Sequence, residues 1–270
     1  MAKTQRLDHT LVERALADTR SRAKALIMAG DVLVNDQRET RAGRSIGTED
    51  TVTLRQKPRF VSRGGEKLDH ALNAFGLDVS GMVAADLGAS TGGFSDCLLQ
   101  RGASRIYAVD VGYGILDERI RTDSRVISME RTNARYLESL PEPVDIVVID
   151  VSFISLSLMF PVVARILKPG GVCIPLIKPQ FEAGKENVGK RGVVRDPAIH
   201  EMVLRKALAY AQDNGLVVLG LVTSPLRGPN GNIEFLASLR NDVVSDIPDI
   251  DSLIASAMNE ATTDPASDPV

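Results

Sequence analysis

The chain has 270 residues, of which 44% are hydrophobic and 25% are charged, and this composition is enough for one large or two modest domains with a buried core. It contains no run of about 18 apolar residues and no apolar core of a signal peptide at its N-terminus, which argues against a membrane protein. The net charge of -3 is unevenly distributed: residues 1–60 carry 12 Lys and Arg against 8 acids, and residues 241–270 carry 7 acids and no bases. The acidic C-terminal segment therefore masks the positive net charge of the N-terminal segment, and the overall net charge does not exclude a nucleic-acid partner.

Residues 1–54 are predicted to form a small α+β unit. A first helix carries an apolar face, a second helix follows after residue 20, and short strands follow near 32–35 and 51–54. The segment 55–60, RQKPRF, lacks apolar periodicity and is predicted to be a linker. The expected inward-facing residues are Leu7, Leu11, Val12 and Leu16 in the first helix and Ser21, Ala25, Leu26 and Met28 in the second.

Residues 61–240 alternate apolar runs with helical patterns, which predicts a parallel α/β sheet with helices on both faces. Strands are expected near 83–87, 105–110, 125–129, 144–150 and 172–177. Two later runs, 217–222 and 233–239, flank the turn-rich segment 229–232 and predict an antiparallel hairpin that closes the sheet edge. The acidic segment 241–270 is expected to hold one helix around Ile250 and to be disordered over 261–270.

The first of these strands runs into a glycine-rich turn, VAADLGASTGG at 83–93. A dinucleotide fingerprint would need a second glycine where Ser90 stands, and a phosphate loop would need a lysine where Phe94 stands. These departures favour S-adenosyl-L-methionine, a ligand that needs close backbone approach and carries little negative charge. The alternative is that the glycines only make a tight turn. The candidate cofactor-binding residues are Asp86, Gly88, Ala89, Ser90, Thr91, Gly92, Asp110 and Asn133.

Long motifs in chain order are similar to those of a known family. They are VSRGGEKL (61–68), DLGASTGGF (86–94), VDVGYG (109–114), ERTNAR (130–135), DVSFISL (150–156), LIKPQFEAGK (176–185) and SPLRGPNGNIEFL (224–236). Over about residues 5–240 the chain resembles the TlyA family of rRNA cytidine 2'-O-methyltransferases, often labelled hemolysins. The resemblance implies a class I, Rossmann-like methyltransferase domain of the FtsJ type with a mostly parallel seven-stranded sheet. It also implies S-adenosyl-L-methionine as cofactor and ribosomal RNA or ribosomal subunits as partner.

Four charged residues are candidate catalytic groups. Asp150 and Lys178 end the fourth and fifth strands, at the edge where open α/β sheets bind ligands. Lys67 precedes the first strand and Glu234 lies in the final hairpin, and the resemblance maps the Lys-Asp-Lys-Glu tetrad of FtsJ-type enzymes onto these four. We expect Lys178 to activate a ribose hydroxyl, the two acids to orient it, and Lys67 to steady developing negative charge or a phosphate. The alternative for each is a surface salt bridge.

The N-terminal pattern RLD…L…LA…SR..A..LI..G.V.VN resembles the alpha-L RNA-binding motif of ribosomal proteins and pseudouridine synthases. The resemblance makes Arg6, Arg20, Arg22 and Lys24 candidate phosphate contacts, the alternative being an ordinary solvated face. A basic loop, GKENVGKRGVV at 184–194, is a further candidate RNA contact.

Two cysteines without metal-ligand spacing predict a cytoplasmic protein that binds no metal. Because aromatic residues make up 4% of the chain and Trp is absent, we expect a structured RNA target and no base-reading aromatic platform. The rival hypotheses are a non-catalytic rRNA-binding assembly factor and a membrane-active hemolysin.

Overall fold

The structure is a computed structural model, and it describes residues 4–55, 58–242 and 244–263. The chain divides into two compact units, residues 1–58 and 59–270. The division falls inside the predicted linker 55–60, of which Gln56 and Lys57 lie outside the described residues.

The N-terminal unit packs two short helices against short strands. Its buried core contains Leu7 and Leu11 of the first helix and Ala23 and Ile27 of the second. The predicted inner face of the second helix was only partly right: Leu26 packs against the core as expected, but the buried i, i+4 pair is Ala23 and Ile27, and Met28 is 74% exposed. The elements are β1 (Gln5–Arg6), α1 (Leu7–Glu13), α2 (Arg20–Ala29), β2 (Val32–Val34), β3 (Gln37–Arg38), β4 (Ser45–Ile46) and β5 (Val52–Leu54), with sheet order β3-β2-β5 and a β1–β4 pair.

The second unit is built on a seven-stranded sheet, in the order β11-β12-β10-β9-β6-β7-β8. Five strands, β10 to β8, are parallel, and β12 pairs antiparallel with both β10 and β11. The predicted mostly parallel sheet and its antiparallel hairpin are confirmed. The strands are β6 (Val83–Leu87), β7 (Arg105–Val109), β8 (Val126–Met129), β9 (Val144–Ile149), β10 (Leu167–Ile177), β11 (Val217–Thr223) and β12 (Phe235–Arg240).

Both faces of this sheet are covered by apolar side chains. Alternate residues of β9 go to different clusters, Val147 and Ile149 to one and Ile146 and Val148 to the other, as the period of a strand requires. Among the described residues, no helix is long and apolar enough to cross a membrane. The helices are α3 (Gly64–Ala74), α4 (Gly93–Gln100), α5 (Glu118–Arg121), α6 (Phe160–Ile166), α7 (Pro179–Glu182), α8 (Pro197–Asp213) and α9 (Ile250–Thr263).

Helix α9 continues further than the sequence suggested. The prediction of disorder from residue 261 was wrong for 261–263, because Ala261 extends the inward-facing series of Ile254 and Ala257 and is 5% exposed. Residues 264–270 lie outside the described part of the chain.

Candidate active site

A cavity of about 690 Å³ opens at the carboxyl ends of β6, β7 and β9. Since β6 lies between β7 and β9, the connections on its two sides run in opposite directions, and this switch point is where open α/β sheets bind ligands. Gly88, Ser90, Asp110 and Asn133, from the predicted cofactor set, line the cavity. Ala89 lines a smaller adjoining pocket.

The glycine-rich turn is tied to the end of the next strand. The backbone N–H of Ser90 donates to Asp110 Oδ2 at 2.8 Å, and that of Gly112 donates to Asp110 Oδ1 at 2.7 Å. Gly88 has φ +89°, and a Cβ on it would meet the carbonyl oxygen of Asp150 at 2.7 Å, so only glycine fits there. This arrangement leaves the Asp110 carboxylate half-buried at the cavity wall, where it retains lone pairs for a ligand.

The remaining predicted cofactor residues have other surroundings. Asp86 is fully buried and does not line the cavity; its Oδ2 accepts from the Ser95 N–H at 3.0 Å and the Ser95 hydroxyl at 2.7 Å, which anchors the first turn of α4. Thr91 and Gly92 are absent from the lining as well. Asn133 caps a single helical turn by accepting from the Arg135 N–H at 3.1 Å, and it still borders the cavity.

The charge of the cavity wall suits S-adenosyl-L-methionine. The lining contains the carboxylates of Asp110 and Asp150 and one cation, Arg135. A sulfonium ligand is favoured by such a wall, whereas a polyphosphate would meet two acids and a single positive charge.

Lys178 and Asp150 form an ion pair at the edge of this cavity. Lys178 Nζ lies 2.5 Å from Asp150 Oδ1 and donates to Ser152 Oγ at 3.0 Å. Asp150 directly follows β9 and Lys178 directly follows β10, and because these strands are parallel neighbours the two side chains meet. The Lys178 side chain is 10% exposed.

Lys67 and Glu234 form the second ion pair, with Lys67 Nζ donating to Glu234 Oε2 at 2.5 Å. Both are buried, and Glu234 also accepts from Gln180 Nε2 at 3.2 Å. A Cβ on Gly228 would lie 2.1 Å from Glu234 Oε1, so the turn before β12 must approach the carboxylate without a side chain. Because Gln180 follows Lys178 by two residues, one short segment touches both pairs.

An exposed aromatic residue at the cavity escaped the sequence argument. Phe153 lines the cavity, is 90% exposed and has φ +64°. Its ring centroid lies 4.8 Å from that of Phe181, and Lys178 Nζ lies 5.9 Å from the centroid of the Phe181 ring. The expectation that no aromatic platform exists rested on composition alone, which cannot show where one phenylalanine stands.

In the N-terminal unit, a buried acid holds two of the predicted RNA-binding arginines. Asp8 is fully buried and pairs with Arg6 and Arg20, each at 3.0 Å, and the hydrogen bond from Arg6 is the main reason that its pKa falls to about 2. Arg22 and Lys24 are exposed on α2. The guanidiniums of Arg6 and Arg20 are thus half-exposed, and their positions are fixed by Asp8. Arginines on an ordinary solvated face need no such buried acid to hold them.

A second such arrangement was not predicted. Buried Glu39 pairs with Arg41 at 3.1 Å and Arg44 at 2.8 Å, and the side-chain hydrogen bond from Arg41 is the largest contribution lowering its pKa to about 2. The signal was present in the spacing ETRAGR at 39–44. In the part of the chain that the structure describes, no group of three or more His, Cys, Asp or Glu residues is placed to hold a metal ion.

Comparisons with known proteins agree with this architecture. Residues 60–241 match the FtsJ-like methyltransferase model and residues 5–52 match the S4 domain model. The chain is 49% identical over 245 residues to "Putative rRNA methyltransferase YqxC" of Bacillus subtilis, covering 88% of this chain and 86% of that protein. It is 43% identical over 244 residues to "16S/23S rRNA (cytidine-2'-O)-methyltransferase TlyA" of Mycobacterium tuberculosis, covering 89% and 91%.

A solved structure is similar over nearly the whole chain. It is a "Putative hemolysin from Streptococcus thermophilus", with TM-score 0.72 and 44% identity, and the match covers 97% of this chain and 98% of that one. Fold and cavity define an S-adenosyl-L-methionine-dependent methyltransferase. The chain belongs to the FtsJ-like methyltransferase family, with an S4 domain ahead of the catalytic one, and its resemblance to the TlyA proteins is confirmed.

Proposed function

We propose that this protein methylates the 2'-hydroxyl of a cytidine in ribosomal RNA, with Lys67, Asp150, Lys178 and Glu234 as its catalytic residues. The observation that carries the proposal is the Lys178–Asp150 pair, which stands at the open edge of the cavity with both side chains drawn from neighbouring strand ends. The named activity of the Mycobacterium tuberculosis relative supports the choice of substrate.

Lys178 is the group that we assign to the ribose hydroxyl. An ammonium has three N–H donors, and that of Lys178 donates one to Ser152 and is paired with Asp150 by charge. A remaining N–H is assigned to the 2'-oxygen, where it stabilises the negative charge that develops as the hydroxyl reacts. When bound, S-adenosyl-L-methionine supplies an electrophilic methyl group. The hydroxyl loses its proton during the transfer, and we assign that proton to the Asp150 carboxylate, because the Lys178 ammonium already carries three protons and cannot accept another.

Lys67 and Glu234 have a supporting role in this proposal. Glu234 is 1% exposed, so its charge needs the Lys67 ammonium beside it. The pair keeps one cation fixed near the reacting groups through Gln180, which is bonded to Glu234 and follows Lys178 closely. We assign Lys67 to the target phosphate or to the developing oxyanion.

Phe153 is the residue that we assign to the target base. Sequence-specific RNA recognition targets unstacked bases in loops and bulges, and an exposed aromatic ring offers a stacking surface for such a base. Replacing Phe153 by Ala removes a stacking contact worth about 1–3 kcal/mol. We expect KM for RNA to rise by about 5- to 150-fold while binding of S-adenosylhomocysteine changes little, and we expect Phe153→Trp to retain activity. Unchanged KM in Phe153→Ala would contradict this assignment.

The N-terminal unit is proposed to dock the RNA. Arg6 and Arg20, held by Asp8, and Arg22 and Lys24 on α2 would neutralise phosphates, and this kind of binding weakens steeply with salt. The expected setting is the cytoplasm, where ribosomal RNA and ribosomal subunits are found.

The test uses methyl-labelled S-adenosyl-L-methionine with separated small and large ribosomal subunits. Wild-type protein is compared with Lys178→Met and with a matched control, Lys168→Met. Lys168 pairs with Asp145 at 2.7 Å near the opposite ends of the same two strands, so the control removes an ion pair of the same type away from the cavity. We expect label that resists alkaline cleavage of the RNA backbone with wild type and the control, and none with Lys178→Met.

Each alternative has its own outcome. Label in an alkali-sensitive position would indicate base methylation. Activity in Lys178→Met equal to that of the control would remove Lys178 from catalysis. Bound cofactor with no label in either particle would favour a non-catalytic rRNA-binding assembly factor.

A further inference from the structure

One wall of the cavity is an irregular segment, residues 150–155, every one of which lines the cavity. It follows β9 directly and contains Phe153 in the left-handed region, so its conformation is not maintained by a strand or a long helix. Besides the packing of its own Val151 and Ile154 against the core, the segment is held by side chains that contact it from a neighbouring segment.

Those side chains come from the short segment that follows β10. Lys178 immediately precedes the single turn α7, and Phe181 and Glu182 are its last two residues, so one short segment supplies all three side chains. Lys178 holds the beginning of the wall through Asp150 and Ser152, and Phe181 packs against its middle through Phe153.

Glu182 holds the far end of the wall. Its Oε1 accepts from the backbone N–H of Leu156 at 2.7 Å, and its Oε2 accepts from the Ser155 hydroxyl at 2.8 Å. Glu182 is 5% exposed, and burial raises the pKa of its carboxyl. Among the described residues no Lys or Arg forms an ion pair with this carboxylate; the two hydrogen bonds to the wall are the main compensation for its burial, and the charge of Lys206, which donates to the Glu182 carbonyl oxygen at 3.4 Å, adds to them.

We propose that Glu182 is a positioning residue, which fixes the wall so that Ser152 and Phe153 hold the target nucleotide against Lys178. The expected effect on turnover rests on the proposed function. The expected effect on the order of residues 150–155 rests only on the hydrogen bonds of Glu182. A displacement of about 1 Å at a reacting group can cost on the order of 100-fold in rate, so losing the anchor should lower turnover without removing any catalytic group.

The test compares Glu182→Ala, Glu182→Gln and a control, Glu201→Ala, in the full chain. Glu201 is an exposed acid of α8 that pairs with Arg205, and such surface pairs contribute little. Glutamine keeps an acceptor for the Leu156 N–H and can donate to the Ser155 oxygen, so we expect it to retain activity. Glu182→Ala should lower kcat by about tenfold or more. Equal kcat in Glu182→Ala and the control would overturn the proposal, as would a loss in Glu182→Gln as large as in Glu182→Ala.

A spectroscopic reading separates this proposal from the proposed function. The chain has no Trp, so Phe153→Trp introduces a single reporter into the wall. Adding Glu182→Ala should lower the anisotropy of Trp emission and increase its quenching by acrylamide, whether or not any RNA is methylated. Unchanged anisotropy and quenching would overturn the positioning role even in an active enzyme. If Glu182→Ala does not fold, Ser155→Ala removes one of the two hydrogen bonds of Glu182, together with the contacts of the Ser155 hydroxyl with Ser157. It should show the same changes in anisotropy and quenching at smaller amplitude, and their absence would likewise overturn the proposal.

Discussion

The buried Asp86 gives the methyltransferase unit an unusual dependence of stability on pH. Burial is the main cause that raises the pKa of its carboxyl from 3.8 to about 7, and the charge of Asp150 adds to the increase. The hydrogen bonds from Ser95 oppose it but do not prevent it. Asp86 Oδ1 is buried, and among the described atoms it has no hydrogen-bond partner.

The free energy of unfolding falls as pH rises, because the folded state retains a proton on Asp86. Between pH 4 and pH 7 the folded protein keeps a proton on Asp86 that the unfolded chain has released. The contribution to stability is complete below the unfolded pKa and is lost as pH rises through about 7. A shift of about 3 units at about 1.4 kcal/mol per unit corresponds to about 4 kcal/mol between these limits.

Asp86→Asn should remove this dependence. Asparagine is isosteric, remains uncharged and keeps an oxygen to accept from Ser95. Relative to wild type, the free energy of unfolding of the variant should therefore increase by about 1.4 kcal/mol per pH unit between pH 5 and pH 7, and level off above pH 7.

The assay is urea unfolding at several pH values, followed by tyrosine fluorescence. All four tyrosines lie in the methyltransferase unit and the chain has no Trp, so the signal reports that unit alone. Ser95→Ala removes a hydrogen bond to the charged form and should move the dependence to higher pH. Parallel curves for wild type and Asp86→Asn would refute the reasoning.

Three further predictions concern the ion pairs and the tight turn. Lys67→Met should lower the free energy of unfolding by about 3–5 kcal/mol because it leaves Glu234 buried and unpaired, and adding Glu234→Gln should recover much of that loss in urea melts without restoring methylation. Gly228→Ala should lower kcat, because its Cβ would displace the Glu234 carboxylate; a crystal structure with Glu234 unmoved would contradict this. Asp8→Asn should weaken RNA binding and flatten its salt dependence in filter-binding assays, because Arg20 loses its anchor, whereas an unchanged salt slope would argue against phosphate contacts there.

The positions of the strands along the chain could be predicted from local signals. Apolar runs of five or six residues that end in an acid or a lysine indicate parallel strands and their carboxyl ends, so the positions of Asp110, Asp150 and Lys178 followed directly. Asp150 lies beside Lys178 as expected, whereas Glu234, which was expected to orient the same lysine, pairs with Lys67 instead.

Contacts between distant segments could not be predicted in this way. Lys67 and Glu234 are 167 positions apart, and no periodicity relates them. From its sequence context Asp86 resembles a ligand-binding acid, yet its carboxylate is buried and accepts hydrogen bonds from Ser95 in α4. The exposure of Phe153 depends on a left-handed backbone that an ordinary residue adopts only when its surroundings enforce it.

The place of β12 in the sheet has a consequence for synthesis. This strand, Phe235–Arg240, lies between β10 and β11 although it follows both in the chain. A nascent chain that has emerged only as far as β11 leaves the edge of β10 unpaired, and such an edge is open to wrong partners until the last strand arrives. Glu234 immediately precedes β12, so its ion pair with Lys67 can form only when this last strand has been synthesised. A chain truncated before β12 would therefore lack both the complete sheet and the assembled site. Such a chain would be inactive, and its unpaired strand edge would make it recognisable to proteases and chaperones.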